Sequence, residues 1–178
     1  ALFDDELRYI SQARSSHSHF RLLMHKLEET LKERPANKAT DAAKALHSIA
    51  EQMHKRSLVI VFSDMMDDAD HIEDLFSSLQ HLKFNKHEVI LFHTMDGEKE
   101  LAFDFDNRPF EFVDMETGEK VRLQPQQVKE EYLVRMGEFN AMVQNRCHQY
   151  KIDYVPVDLS KPVEQVLNAF LLKRNKLL

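Results

Sequence analysis

Four aspartates that follow one apolar run are the first residues of this chain that could do chemistry. The run 58–63 ends directly before Asp64, and Asp67, Asp68 and Asp70 come soon after it. Carboxylate oxygens are hard ligands that suit Mg²⁺, which keeps several waters and needs few protein ligands. Asp64 is therefore a candidate metal ligand at a strand end. The three later aspartates have a second interpretation, in which they cap the next helix and interact favourably with its amino terminus.

Two further apolar runs of the chain also end in polar side chains. One run leads into His93 and Thr94, and the other leads into Asp158 and Ser160. In open α/β sheets, ligands bind at the carboxyl ends of the strands. We therefore expect these residues to lie at the same edge of a sheet as Asp64.

Motifs for nucleophilic or phosphate chemistry are not found in the sequence. Ser63 lacks the Gly-x-Ser-x-Gly elbow, and the three glycines, Gly97, Gly118 and Gly137, do not form a phosphate-binding loop. The ten histidines are scattered, and none forms a His-Glu-x-x-His pair. Cys147 falls on the apolar stripe of a helix, which indicates a core residue. These observations favour a role that is not enzymatic.

The elements around the acidic residues predict an α/β protein. Runs that are apolar on both faces, at 58–63, 88–93 and 152–157, are typical of strands buried in a parallel sheet. A segment with helical spacing, at about 70–82, separates the first two strands and predicts a strand–helix–strand crossover. Four further helices are predicted at 18–34, from 40 or 41 to about 53, at 125–150 and from 162 to the end.

A small antiparallel insert is predicted at about 101–123, where the apolar period changes to two. Leu101, Phe103 and Phe105 alternate with polar residues, and so do Phe110 and Phe112. The alternation indicates a half-buried sheet, although the same aromatic side chains could instead form an exposed adhesive face.

Length and composition are those of one soluble domain. The chain has 178 residues and a net charge of −6, which disfavours a nucleic-acid partner because phosphate binding requires a basic surface. The single Cys147 excludes an internal disulfide and fits a reducing cytoplasm. No apolar run is long enough to span a membrane. The opening Ala-Leu-Phe reads as the end of a strand, so we expect a domain truncated at its amino terminus.

Several segments resemble known families. Successive elements of a von Willebrand factor A-like domain are similar to Leu2–Asp5, Ala39–Asp41 and Ser57–Asp64. The bacterial DUF58 proteins, a family of undefined function, are similar to Glu88–His93, Phe112–Gly118, the helix that contains Tyr132, and Ile152–Asp158. The resemblance covers nearly the whole chain, 1–178, as a single domain, and it implies a Rossmann-like, mostly parallel sheet with helices on both faces.

The resemblance also implies a metal-ion-dependent adhesion site. In such domains an Asp-x-Ser-x-Ser motif on the first strand supplies most of the ligands, and a Thr and an Asp complete the shell. Thr40 matches the Thr position and Asp64 matches the Asp position, whereas the Asp-x-Ser-x-Ser segment is absent from this chain. We therefore expect an incomplete site here and Mg²⁺ binding in the intact protein.

The same resemblance implies a protein partner, because DUF58 proteins are similar to partners of MoxR-type AAA+ ATPases. It also implies that the missing first strand would lie beside strand 58–63. Without it, the apolar edge of that strand would be unpaired, and we expect self-association or local rearrangement there.

Three hypotheses about function follow from the sequence. The first is a non-enzymatic protein-interaction module whose contact face is the edge at Asp64 and Thr40. The second is a Mg²⁺-dependent phosphate-ester hydrolase built from Asp64, Asp67, Asp68 and Asp158. The third is a structural domain with no ligand of its own.

Overall fold

The computed structural model describes residues 1–3, 7–32, 42–53, 56–66, 69–114 and 118–175. Seven strands are present in this part of the chain: β1 Leu2–Phe3, β2 Leu7–Tyr9, β3 Leu58–Ser63, β4 Glu88–Met95, β5 Phe110–Val113, β6 Lys120–Leu123 and β7 Asp153–Asp158. The α-helices are α1 His17–Lys32, α2 Ala42–Gln52, α3 Ala69–Phe84, α4 Pro125–Gln149 and α5 Val163–Asn175. A short π-helix, Gly97–Leu101, follows β4.

The central sheet confirms the predicted parallel architecture. Its three strands lie in the order β3-β4-β7 and all pairs are parallel. The crossovers run through α3, between β3 and β4, and through α4, which precedes β7. β1 and β2 form one separate antiparallel pair, and β5 and β6 form another. The chain is thus a mixed α/β protein in which helices flank a parallel sheet.

Strand β4 is the centre of the core, and its side chains alternate between two apolar clusters. Val89 and Leu91 belong to the larger cluster, which includes residues of α2, α3 and α4. Ile90 and Phe92 belong to the smaller cluster, against which Phe170 of α5 packs. Because both faces of this strand are covered, its apolar residues occur as a continuous run.

Strand β3 differs from its predicted environment, because one of its faces is open to solvent. Leu58, Ile60 and Phe62 are 47%, 46% and 65% exposed, whereas Val61 on the other face is 5% exposed. Burial between two layers was therefore a wrong expectation for this strand. The reason is its place at the sheet edge: α5 packs over β4 and β7 and leaves β3 uncovered on that side.

The helices occur close to where their periodicity predicts them, but the apolar stripe of α1 is not packed. No residue of α1 is buried, and Phe20 and Leu31 are 60% and 85% exposed.

Two bidentate ion pairs connect other elements of the fold. Arg146 of α4 binds Glu73 of α3, and Arg174 of α5 binds Glu88 at the start of β4.

The antiparallel insert is confirmed only in its second half. β5 pairs with β6, but Leu101 ends the π-helix and residues 102–109 form no strand. Phe103 has a φ of 46°, which is incompatible with a regular strand. Phe105, Phe110 and Phe112 are half-buried as predicted, whereas Phe103 is buried and its ring lies 4.3 Å from that of Tyr132 in α4.

Two further predictions concern single features. Cys147 is fully buried in the larger core cluster, which confirms its predicted place in the core. Among the described residues, none of the helices combines the length and apolar character needed to cross a bilayer.

Candidate functional site

Asp64 lies in a tight turn at the carboxyl end of β3. Its Oδ1 accepts the Met66 N–H at 3.2 Å, and the Ser63 Oγ accepts the Met65 N–H at 3.0 Å. Met65 adopts a φ of 56° and is only 1% exposed, so its side chain anchors the turn in the core. Asp64 itself is exposed. The turn therefore presents a carboxylate to solvent on a backbone that burial and two local hydrogen bonds hold in place.

His93 of the neighbouring strand β4 holds this turn through a hydrogen bond to its main chain. Its Nε2 lies 2.8 Å from the Asp64 carbonyl oxygen, and its Nδ1 lies 3.0 Å from the Tyr154 hydroxyl of β7. A carbonyl oxygen can only accept, so Nε2 carries the hydrogen and the neutral ring accepts the Tyr154 O–H at Nδ1. Burial lowers the pKa of His93, an effect that the Asp64 carbonyl partly opposes. One neutral side chain thus links all three strands of the sheet.

Asp96 directly follows β4 and caps the amino terminus of the π-helix. Asp96 Oδ1 accepts the N–H groups of Glu98 and Lys99, both at 2.9 Å, and Glu100 Oε2 accepts the Asp96 N–H. This reciprocal arrangement satisfies main-chain donors that a helix start leaves without partners. The Asp96 carboxylate therefore has a local structural role.

Asp158, at the end of β7, is held by its own neighbours. Its Oδ1 accepts the N–H and the hydroxyl of Ser160, and its Oδ2 lies 2.9 Å from Lys161 Nζ. The Ser160 hydroxyl, followed by Lys161, lowers the pKa of Asp158 to about 2. Gly97 leaves room for this carboxylate, since a Cβ there would lie 2.3 Å from Asp158 Oδ1.

The predicted edge residues that the structure describes come to the same edge of the sheet. Asp64 and Asp158 end strands that flank β4, which places them roughly 10 Å apart, or two strand spacings. Within the described ranges, no three His, Cys, Asp or Glu side chains are grouped as ligands. Thr40, Asp67 and Asp68 lie outside these ranges, and Asp70 falls in the first turn of α3.

A second concave feature lies between the β5–β6 hairpin and α4. It is an open, mostly apolar cavity of about 350 Å³. Its lining consists of Phe103, Phe112, Leu123, Val128, Glu131, Tyr132 and Arg135. The two charged residues form an ion pair with each other, with 2.5 Å between Arg135 and Glu131. The cavity thus offers apolar contact with little net charge.

Sequence reasoning named His93 only as a strand-end residue and missed its linking role. The sequence nevertheless indicated this role, because a histidine inside the apolar run of a central strand must be buried and needs partners for both ring nitrogens. His87 is a similar case: it is 3% exposed, and its Nδ1 accepts the Ser57 N–H just before β3. The close approach of Gly97 to Asp158 could not be predicted from the residues near either position in the sequence.

The fold and this edge define an α/β protein that presents an ordered, exposed carboxylate at the carboxyl end of a parallel strand. The family described as "Protein of unknown function DUF58" matches residues 1–141. The chain therefore belongs to the DUF58 family, as the sequence resemblance predicted. The searches of curated proteins and of solved structures found no match for this chain.

Proposed function

We propose that this protein is a non-enzymatic protein-interaction module and that its contact face is the sheet edge at Asp64. In this proposal the domain is of the von Willebrand factor A-like type, and its partner is a MoxR-type AAA+ ATPase. Both statements rest on the resemblance described above and extend the family membership, which assigns no function.

The observation that supports the proposal is the way in which Asp64 is held. Its main chain is fixed by the buried Met65 and by the hydrogen bond from His93, while its carboxylate remains exposed. A charged group that is already ordered loses little conformational entropy on binding, which favours recognition of a partner. The Asp64 carboxylate accepts one N–H of its own turn, that of Met66, whereas the Asp96 and Asp158 carboxylates each accept at least two donors of their own turns.

The described residues fit a Mg²⁺ ion only in part. Asp64 contributes one exposed carboxylate, and no cluster of three ligating side chains exists within the described ranges. Mg²⁺ can bind through one or two carboxylates, but then it depends on other oxygen ligands and water. We propose Asp64 and Thr40 as the ligands that this chain contributes, with Mg²⁺ held firmly only where further ligands complete the shell.

Partner capture tests the proposal. The protein is immobilised, and the amount of a purified MoxR-type ATPase that it retains is measured with and without Mg²⁺. Asp64→Asn keeps an oxygen that can accept the Met66 N–H but removes the charge, so it separates the carboxylate from the turn. We expect capture to fall at least tenfold for this variant, and Asp74→Asn, at an exposed position of α3, serves as the matched control.

The hydrolase hypothesis has its own discriminating measurement. It requires Asp158 as a metal ligand, yet that carboxylate already accepts hydrogen bonds from Ser160 and pairs with Lys161. Turnover of a simple phosphate ester that requires Mg²⁺ and is lost in Asp64→Ala would replace the interaction proposal by the enzymatic one.

A further inference from the structure

We propose that the cavity between the β5–β6 hairpin and α4 is a binding site for a small, uncharged aromatic molecule. This inference goes beyond the proposed function, because it concerns a second site that involves neither Asp64 nor a protein partner. It rests on the size of the cavity, the residues that form its walls and the charges at its opening.

The β5–β6 hairpin has one apolar face and one charged face. Leu123 lies opposite Phe110 in the register, so Leu123, Phe110 and Phe112 share a face. Glu111, between the two phenylalanines, points the other way and binds two basic side chains of β6 there. The apolar face is directed toward α4, and Phe112 and Leu123 form one wall of the cavity.

One face of α4 forms the opposite wall. Val128 and Tyr132 lie one helical turn apart, and both line the cavity. The ring of the buried Phe103 lies 4.3 Å from that of Tyr132 and 6.4 Å from that of Phe112, so it joins the two walls. Burial, followed by the Glu100 carboxylate, raises the pKa of the Tyr132 phenol, which therefore stays neutral at physiological pH. The walls are thus apolar, aromatic and uncharged.

Contacts outside the cavity hold these walls in place. Gln124, directly before α4, donates a hydrogen bond to Asn107 at 3.0 Å, and the Arg108 guanidinium lies 4.9 Å from the centroid of the Phe110 ring. Packed interiors rarely leave a void larger than a water molecule, whereas this cavity measures about 350 Å³, a volume found in small-molecule sites. A site whose walls are already formed loses less entropy when a ligand binds.

The charges at the opening favour an uncharged ligand. Arg135 and Glu131 border the cavity and pair with each other at 2.5 Å. Their side chains are 76% and 68% exposed, so the charged ends lie in water while the stems extend along the apolar wall. An anionic ligand would have to displace Glu131 from Arg135, and a cationic one would have to displace Arg135 from Glu131. A neutral ring disturbs neither charge and packs well against aromatic walls.

Indole is a suitable probe, because the chain contains no tryptophan and indole emission is then distinct from that of the protein. Equilibrium dialysis measures its binding beside that of indole-3-acetate and tryptamine, which carry a negative and a positive charge on the same ring. We expect a Kd below about 1 mM for indole and binding at least about tenfold weaker for both charged analogues. Equal binding of all three molecules would contradict an uncharged ligand.

A matched pair of substitutions in α4 tests whether the probe occupies this cavity. Val128→Phe places a ring inside the cavity, whereas Val134→Phe makes the same change at a position of the same helix that is 61% exposed. Circular dichroism establishes that each variant is folded. We expect indole binding to fall at least about tenfold in Val128→Phe and to stay unchanged in Val134→Phe.

Methyl NMR of the unmodified chain locates the probe without any substitution. The methyl signals of Leu123 and Val128 should shift when indole is added, because an aromatic ring would lie beside them, and those of Val134 should not. A folded chain that does not bind indole, indole binding retained in folded Val128→Phe, or equal shifts for Val128 and Val134 would overturn the proposal. Because none of these measurements involves Asp64 or the ATPase, either proposal can fail alone.

Discussion

The His93 ring donates a hydrogen bond to the Asp64 carbonyl oxygen, with 2.8 Å between Nε2 and the oxygen, and so fixes the end of the edge strand from the central strand. The ring is buried and neutral, and its other nitrogen accepts a hydrogen bond from Tyr154. The exposed carboxylate at the proposed contact face is therefore supported by a side chain that does not reach the surface.

Protonation of His93 is expected to destabilise the fold. Burial lowers its pKa in the folded state, so below about pH 6.5 the unfolded chain takes up a proton that the folded chain does not. The free energy of unfolding should then fall as the pH decreases, by at most about 1.4 kcal/mol per pH unit from this group. Urea unfolding at pH 7.5 and pH 5.5 measures this loss.

The loss should be smaller in His93→Gln, which has no titrating ring at this position. Identical pH dependence in the unmodified chain and in His93→Gln would show that His93 is not the group responsible.

Gly97→Ala and Gly137→Ala should change stability in opposite directions. A Cβ at Gly97 would collide with Asp158 Oδ1 and displace the carboxylate from Ser160 and Lys161, whereas a Cβ at Gly137 meets nothing within 4 Å. Gly137 lies inside α4, where alanine should add about 0.5–1 kcal/mol to the free energy of unfolding. Gly97→Ala should lower the free energy of unfolding by more than Gly137→Ala raises it.

Urea unfolding of both variants measures the difference. Combining Gly97→Ala with Asp158→Ala should remove most of the added cost of the first substitution, because the colliding atoms are then gone. A loss that is unchanged in the double variant would place the conflict elsewhere.

Phe103→Ala should be strongly destabilising. Phe103 is 6% exposed and contacts Phe105, Phe112 and Tyr132, so its loss would open a cavity in the aromatic cluster. We expect a cost of about 3–5 kcal/mol in the free energy of unfolding. Phe84→Ala is the matched control, since Phe84 is 84% exposed and its removal should change stability by less than about 0.5 kcal/mol. Similar costs for both would contradict the packing of the insert against α4.

Cys147 should not react in the folded protein. Its side chain is fully buried, and burial raises the pKa of the thiol to about 12, so little thiolate exists at neutral pH. A thiol reagent such as 5,5′-dithiobis(2-nitrobenzoate) should release less than about one tenth of an equivalent of product within minutes at pH 7.5. In guanidinium chloride the same protein should release one full equivalent, and fast reaction without denaturant would contradict the burial.

Much of the fold followed from periodicity, and the exceptions have physical causes. The runs at 58–63, 88–93 and 152–157 were each found as strands, because β-branched and aromatic residues in short apolar runs favour them. Alternation misled at Leu101–Phe105, because Leu101 is the last residue of the π-helix that Asp96 caps and residues 102–105 form no strand. Spacing alone does not show that a local cap will compete with a strand.

The candidate site was predictable in place but not in detail. Asp64 was located by its position at a strand end, since parallel strands direct their carboxyl ends to one edge. The partners of Asp158 are its near neighbours Ser160 and Lys161, whereas the linking role of His93 depends on contacts with Asp64 and Tyr154 in other segments of the chain. Such contacts between distant segments leave no periodic signal in the chain. The exposure of Phe62 likewise depends on which helix covers which strand.

The most direct test of the central claim is retention of a purified MoxR-type ATPase by the unmodified chain and by Asp64→Asn, measured side by side with Mg²⁺ present. The account predicts clear retention by the unmodified chain and by Asp74→Asn, with a loss of at least tenfold in Asp64→Asn. Equal retention by all three proteins, or no retention by any of them, would contradict the assignment of the Asp64 edge as the contact face for this partner.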